Sequence, residues 1–83
     1  MTWTVYILRC ADDTLYTGIT SDLPRRLAQH ESGKGAKYLR GRTPLTLVHQ
    51  EQWPDKSSAL KREIEIKGLD RISKQALYLT ETY

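Results

Sequence analysis

Five side chains spread along the chain have the types that phosphate-ester chemistry uses: Tyr6, Tyr16, Arg26, His30 and Glu63. A carboxylate can hold one divalent metal that polarises a phosphate, a guanidinium can neutralise the charge growing on it, and a hydroxyl-bearing side chain can position or deprotonate water. Those are the parts that phosphodiester hydrolysis needs. Glu63 is the one carboxylate evident for this purpose, so the metal would keep several waters and bind weakly until substrate oxygens complete its shell. That behaviour suits Mg²⁺, or Mn²⁺ in its place. Other chemistries find no support: there is no His/Cys cluster at zinc spacing, no Gly-x-Ser-x-Gly elbow, no dinucleotide fingerprint and no Gly-x4-Gly-Lys-Ser/Thr loop. Each residue alone has a plainer explanation. The tyrosines suit a hairpin core, His30 an ordinary boundary position, and Glu63 a helix surface paired with Lys67.

The elements that must position these groups begin with Trp3–Arg9 and residues 15–20, two runs rich in aromatic and β-branched residues that read as a β-hairpin. Its turn carries Asp12, Asp13 and Thr14. Strand side chains alternate faces, so loop length decides whether the tyrosines share one. A two-residue loop at Asp12-Asp13 pairs Tyr6 with Ile19 and separates the rings. A three-residue loop at Asp12–Thr14 pairs Tyr6 with Thr20 and aligns them, and it calls for a residue at positive φ, a role Asp tolerates. A site containing both tyrosines requires the odd-length loop.

Ser21 or Asp22 then caps a helix with Pro24 in its first turn, running to about Glu31 or Ser32 before Gly33. Leu23 and Leu27 face the sheet on this helix, and Arg26 and His30, four apart, line up beside them. Gly33–Arg42 is expected to be an exposed loop with one helical turn near Lys37–Leu39. Leu45–Trp53 is expected as a third strand, with His49 an ordinary strand residue. Asp55 or Ser57 caps a second helix that ends at Gly68. Its apolar line is expected to be Leu60 and Ile64, with Ala59, Glu63 and Lys67 beside it. A third helix over Lys74–Thr82 would take Ser73 as its cap, with Ile72 clasping Leu77.

At 83 residues, with 39% hydrophobic and 28% charged, the chain is expected to form a single soluble globular domain, residues 1–83, with a thin core. The lone Cys10 makes no internal disulfide, and neither a secretory leader nor a membrane span is evident, so the cytoplasm is the expected location. The net charge of +3 is unevenly spread: residues 1–24 sum to −2, residues 43–83 to zero, and residues 25–42 to +5. Arg25, Lys34, Lys37, Arg40 and Arg42 in that stretch, with Tyr38 as a stacking surface, point to a nucleic-acid partner.

Val5-Tyr6-Ile7, then Tyr16-Thr17-Gly18, Asp22-Leu23, Arg26, His30 and Glu63 within Ala59–Lys67 together resemble the GIY-YIG nuclease superfamily. The resemblance covers nearly the whole chain and is greatest to the small stand-alone bacterial members, the YhbQ-like endonucleases. It implies an α+β fold, a three-stranded antiparallel sheet flanked by about three helices in the order β-β-α-β-α-α. It also implies a metal-dependent, structure-selective endonuclease acting on DNA, with RNA left open, in DNA repair or processing, leaving 5′-phosphate and 3′-hydroxyl ends. Tyr6 and Tyr16 would surround the attacking water, one of them as general base. Arg26 would stabilise the transition state, Glu63 would hold the metal, His30 would assist, and Gly18 would let the backbone pass close. Two departures stand out: Ile19 occupies a position where some members carry lysine, and the chain has no asparagine, which some members use near the end of the domain. Target choice would fall to residues 25–42 or to a partner protein. A fold that binds nucleic acid without cleaving it, and a protein-interaction adaptor, are the competing expectations.

Overall fold

The computed structural model describes residues 2–79. A three-stranded antiparallel sheet, formed by β1 (Trp3–Arg9), β2 (Leu15–Thr20) and β3 (Thr46–Trp53), has β1 at its centre in the order β2-β1-β3. Three helices, α1 (Leu23–Glu31), α2 (Lys56–Lys67) and α3 (Arg71–Leu79), complete the expected β-β-α-β-α-α order. The central strand is buried on both faces, and the alternation of its side chains produces two cores. Val5 and Ile7 pack with Ala59 and Ile66 on one face, whereas Tyr6, Leu8 and Cys10 pack with Leu39 on the other. A register shift between Ile7 and Leu8 opposite β3 accommodates one extra residue in that strand.

The hairpin has the odd-length loop, but one residue earlier than expected. Tyr6 pairs with Gly18 and Leu8 with Tyr16, so the loop is Ala11–Asp13 rather than Asp12–Thr14. The amide of Asp13 donates to the Cys10 carbonyl, Asp13 takes the positive φ of 71°, and the Cys10 amide closes the ladder on the Thr14 carbonyl. This is a turn followed by a left-handed bulge residue, here Asp in place of the usual Gly. Parity is preserved, and both tyrosines stand on one face.

Each α-helix starts at an aspartate. Asp22 accepts from the Arg25 amide at 3.2 Å, Asp55 from Ser58 and Asp70 from Ser73, both at 2.7 Å. The Asp70 cap moves the start of α3 to Arg71, so Ser73 is not the cap. Ile72 then lies on the outer face, 79% exposed, and does not clasp Leu77. The expected end of that helix at Thr82 lies outside the described residues. At its C-terminus, α1 closes in a Schellman arrangement. The Gly33 amide bonds the His30 carbonyl and the Lys34 amide bonds the Gln29 carbonyl, with Gly33 at φ 79°.

The inward face of α2 differs from the expected apolar line. Ala59 and Ile66 are buried, whereas Leu60 and Ile64 point outward, Ile64 being 69% exposed. The cause is a polar clamp under the helix. Glu51 on β3 accepts two bonds from Arg62, at 2.9 and 3.0 Å, and one from the Trp53 indole at 3.1 Å, and it lies 2.8 Å from His49 Nε2. Turning Arg62 toward the sheet turns Leu60 and Ile64 away. Burial would raise the Glu51 pKa, but the bonds from Arg62, His49 and Trp53 outweigh it and hold the carboxyl at about 2. Because this folded value is depressed, the stabilisation is complete above the ordinary carboxylate range and is lost as pH falls toward 2. It is worth on the order of 3 kcal/mol. Acid unfolding followed by circular dichroism should therefore steepen between pH 4.5 and 2, and Glu51→Gln should remove that steepening while lowering stability at pH 7.

Candidate active site

The tyrosine-bearing face of the sheet is covered by α1 and by the segment after it. Leu23 and Leu27 anchor α1 to this face, and Leu39, buried in the short 3₁₀ turn Lys37–Leu39, anchors the glycine-rich loop. That packing brings His30, one turn beyond Arg26, fully under cover against Tyr6. The Tyr6 hydroxyl lies 2.9 Å from His30 Nε2, and both residues are 1% exposed. His30 is thus a buried member of the cluster and not a boundary residue. Tyr16 completes a three-ring group, its centroid 6.4 Å from Tyr6 and 5.5 Å from His30.

The hydrogen bonds determine how the His30 ring is protonated. Burial lowers its pKa, the Arg26 charge adds to that effect, and the ring is neutral. Its Nδ1 accepts from the Ala36 amide at 3.4 Å, which places the proton on Nε2. His30 therefore donates to the Tyr6 oxygen, and the phenol's own proton is directed elsewhere. Burial pushes the Tyr6 pKa up to about 12; the Arg26 guanidinium beside the hydroxyl pulls it down, and the charges of Tyr16 and Glu63 add to the rise. The charges of Arg26 and Glu63 thus act on the acidity of this one hydroxyl in opposite directions.

Arg26 is steadied by Gln29, whose Oε1 accepts from Nη1 at 3.1 Å. Both line a cleft of about 280 Å³ with Trp3, Arg25 and Asp22. Glu63, with a side chain only 16% exposed, forms an ion pair with Lys67 at 3.4 Å. Among the described residues no group of three or more His, Cys, Asp or Glu side chains could form a protein cage for a metal. One largely covered carboxylate fits a hard divalent cation that keeps most of its waters and takes oxygens from a substrate. Of the basic residues, Arg25, Lys34 and Lys37 are exposed. Arg40 donates to the Gly33 carbonyl at 3.3 Å. Arg42 is turned toward the hairpin, where it pairs with Asp12, bonds Thr14 Oγ1 at 3.3 Å and lies over the Tyr38 ring at 4.5 Å. Tyr38 in turn stacks on Tyr16, with centroids 6.0 Å apart.

Two glycines are demanded by this packing. A Cβ on Gly18 would lie 2.6 Å from the Tyr6 hydroxyl oxygen, and one on Gly35 only 2.1 Å from His30 Nδ1. Gly18 was visible in the sequence as a residue of close approach, whereas Gly35 was not, because its neighbour is created only when the loop folds back over α1. Gln29 at three residues from Arg26 carried a helix-spacing signal that could have found it. Gly35→Ala should displace the His30 ring and lower any catalysis that depends on it by about 10²-fold. Single-turnover cleavage, with the melting temperature measured alongside, checks this.

The fold thus brings two tyrosines of one sheet face together with an arginine and a histidine of the first helix. The model of the GIY-YIG catalytic domain matches residues 2–75, and the chain belongs to the GIY-YIG family, a family of endonucleases. It is similar to a UPF0213 protein of Natronomonas pharaonis, 56% identical over 94% of this chain and 92% of the relative. A UPF0213 protein of Yersinia pestis is 51% identical over 95% of this chain and 83% of its own length. Among solved structures, the solution structure of a UPF0213 protein from Bacillus halodurans is 49% identical over 93% of this chain and 82% of its own, with a TM-score of 0.60. A protein from E. faecalis is 34% identical over 100% of this chain and 90% of its own, with a TM-score of 0.66. No helix among the described residues is long and apolar enough to cross a membrane.

Proposed function

We propose that the protein is a metal-dependent nuclease that hydrolyses phosphodiester bonds of DNA, selecting backbone shape rather than sequence. The observation that carries this reading is the buried Tyr6 hydroxyl, held 2.9 Å from His30 Nε2 beside the Tyr16 ring, with the charges of Arg26 and Glu63 acting on its acidity. Tyr6 is our choice for the group that takes a proton from the attacking water. His30 Nε2–H and Arg26 both stabilise its anion, and Tyr16 flanks the position of the water. Arg26, held by Gln29, neutralises the charge that builds on the phosphate. Glu63 would hold the divalent ion, Mg²⁺ or Mn²⁺, which when bound would stabilise negative charge on the phosphate and make nearby O–H groups more acidic. Its ion pair with Lys67 holds the carboxylate in place beforehand. Exposed Arg25, Lys34 and Lys37, with Arg40, supply phosphate contacts around the site. Target choice follows from these contacts or from a partner protein, in DNA repair or processing in the cytoplasm.

The test is incubation with nicked, branched, single-stranded and duplex DNA, with Mg²⁺, with Mn²⁺ and with chelator, followed by end-group analysis of the products. Cleavage that needs the metal and leaves 5′-phosphate and 3′-hydroxyl ends is expected. Salt-dependent binding without cleavage of any substrate would favour a non-catalytic nucleic-acid-binding module instead.

A further inference from the structure

A second cleft, of about 310 Å³, opens beside Tyr16 along β2, the edge strand of the sheet. It is lined by Leu15, Tyr16, Thr17, Tyr38, Lys67 and Lys74. We propose that it is a subsite for one nucleotide flanking the scissile phosphate, taking the base against Leu15 and the paired rings of Tyr16 and Tyr38, with Lys74 on the adjoining phosphate. The proposal rests on the nuclease reading above and extends it to a pair of elements, α2 and α3, outside the basic stretch of residues 25–42.

Three observations support a nucleotide as the occupant. The cleft is continuous with the candidate site because Tyr16 belongs to both, its ring 5.5 Å from His30 and 6.0 Å from Tyr38. The subsite would therefore adjoin the candidate site through the Tyr16 ring. Its lining combines an aliphatic floor and aromatic rings with two ammonium groups, the pairing that single nucleotides require: a base takes the apolar surface and a phosphate the cations. The two cations are also differently engaged. Lys67 already serves Glu63 at 3.4 Å, whereas Lys74 makes no ion pair among the described residues, which leaves its charge for a partner. A base entering so small a cleft does so out of its neighbours' stack, and loss of that base should cost about 10-fold or more.

End-labelled oligodeoxynucleotides carrying a single abasic residue test this, with cuts mapped at nucleotide resolution for the wild-type protein and for Lys74→Ala and Tyr38→Ala. Cuts should fall by about 10-fold or more at one bond at a fixed offset from the abasic residue and stay unchanged at distant bonds. The suppression should shrink in Tyr38→Ala. Lys74→Ala should raise KM about fivefold or more on the intact strand with kcat within about twofold. An even cutting profile across the abasic residue, or an unchanged KM in Lys74→Ala, overturns the subsite while leaving the nuclease reading intact. If the wild-type protein cuts nothing, the nuclease reading fails, and fluorescence anisotropy on the same strands decides the subsite. Weaker binding by Lys74→Ala, with a loss of affinity for abasic strands, supports it, and equal binding overturns it.

Discussion

Arg26→Ala and Glu63→Ala each lower DNA cleavage by roughly 10²–10³-fold or more, with the protein still folded. Neither side chain holds the core together. Arg26 is partly exposed on α1 and bonds Gln29 within its own helix, and Glu63 pairs with Lys67 one turn further along α2. Their common property is an electrostatic effect on the Tyr6 hydroxyl, whose acidity they alter in opposite directions. Removing either should therefore leave melting within the small range expected of surface substitutions while removing charge stabilisation from the transition state. The two variants separate in binding. Arg26→Ala loses a phosphate contact and weakens affinity, whereas Glu63→Ala removes negative charge and leaves affinity for DNA unchanged or tighter when no metal is present.

Tyr6→Phe lowers cleavage by about 10²–10⁴-fold and changes its pH profile. With the phenol pushed up to about 12, the base form is scarce at neutral pH, and the wild-type rate climbs about tenfold per pH unit through the neutral range. The phenylalanine variant has no such proton to lose, so its residual rate should be flat over the same range. Its stability also falls, by about 1–3 kcal/mol, because the buried His30 Nε2–H loses its acceptor. Tyr16→Phe provides the comparison. If Tyr16 were the base instead, the flat profile would appear in that variant and Tyr6→Phe would keep the slope.

Much of the architecture was legible because its determinants are local. Asp22 before proline and Asp55 before a serine-rich start mark the first two helices and prove to be their caps, whereas the third helix is capped by Asp70 and not by the expected Ser73. The alternating strands around Asp12-Asp13 mark the hairpin, and the requirement that Tyr6 and Tyr16 share a face gives the parity of its loop. The loop's position is less legible, since Ala11–Asp13 and Asp12–Thr14 are both odd-length and both contain an aspartate able to take positive φ. The inward face of α2 was obscured for a different reason. Periodicity counts Leu60 and Ile64 as apolar but cannot see that Glu51, distant in the chain, needs Arg62 on the sheet side.

The candidate site divides along the same line. Arg26 and His30 share an edge of one helix, which spacing reveals. Gly35 pressed against His30, Arg42 drawn back to Asp12, and Lys74 facing Tyr16 across the β2 edge all depend on segments that meet only after folding.

The most direct measurement is single-turnover cleavage of one DNA substrate across a Mg²⁺ titration, by the wild-type protein and by Glu63→Ala at matched fractional saturation with DNA. The site described here predicts a rate that rises with Mg²⁺ in the wild-type protein, vanishes with chelator, and stays roughly 10²–10³-fold lower in Glu63→Ala at every concentration. Equal rates for the two proteins, or a wild-type rate indifferent to chelator, would contradict it.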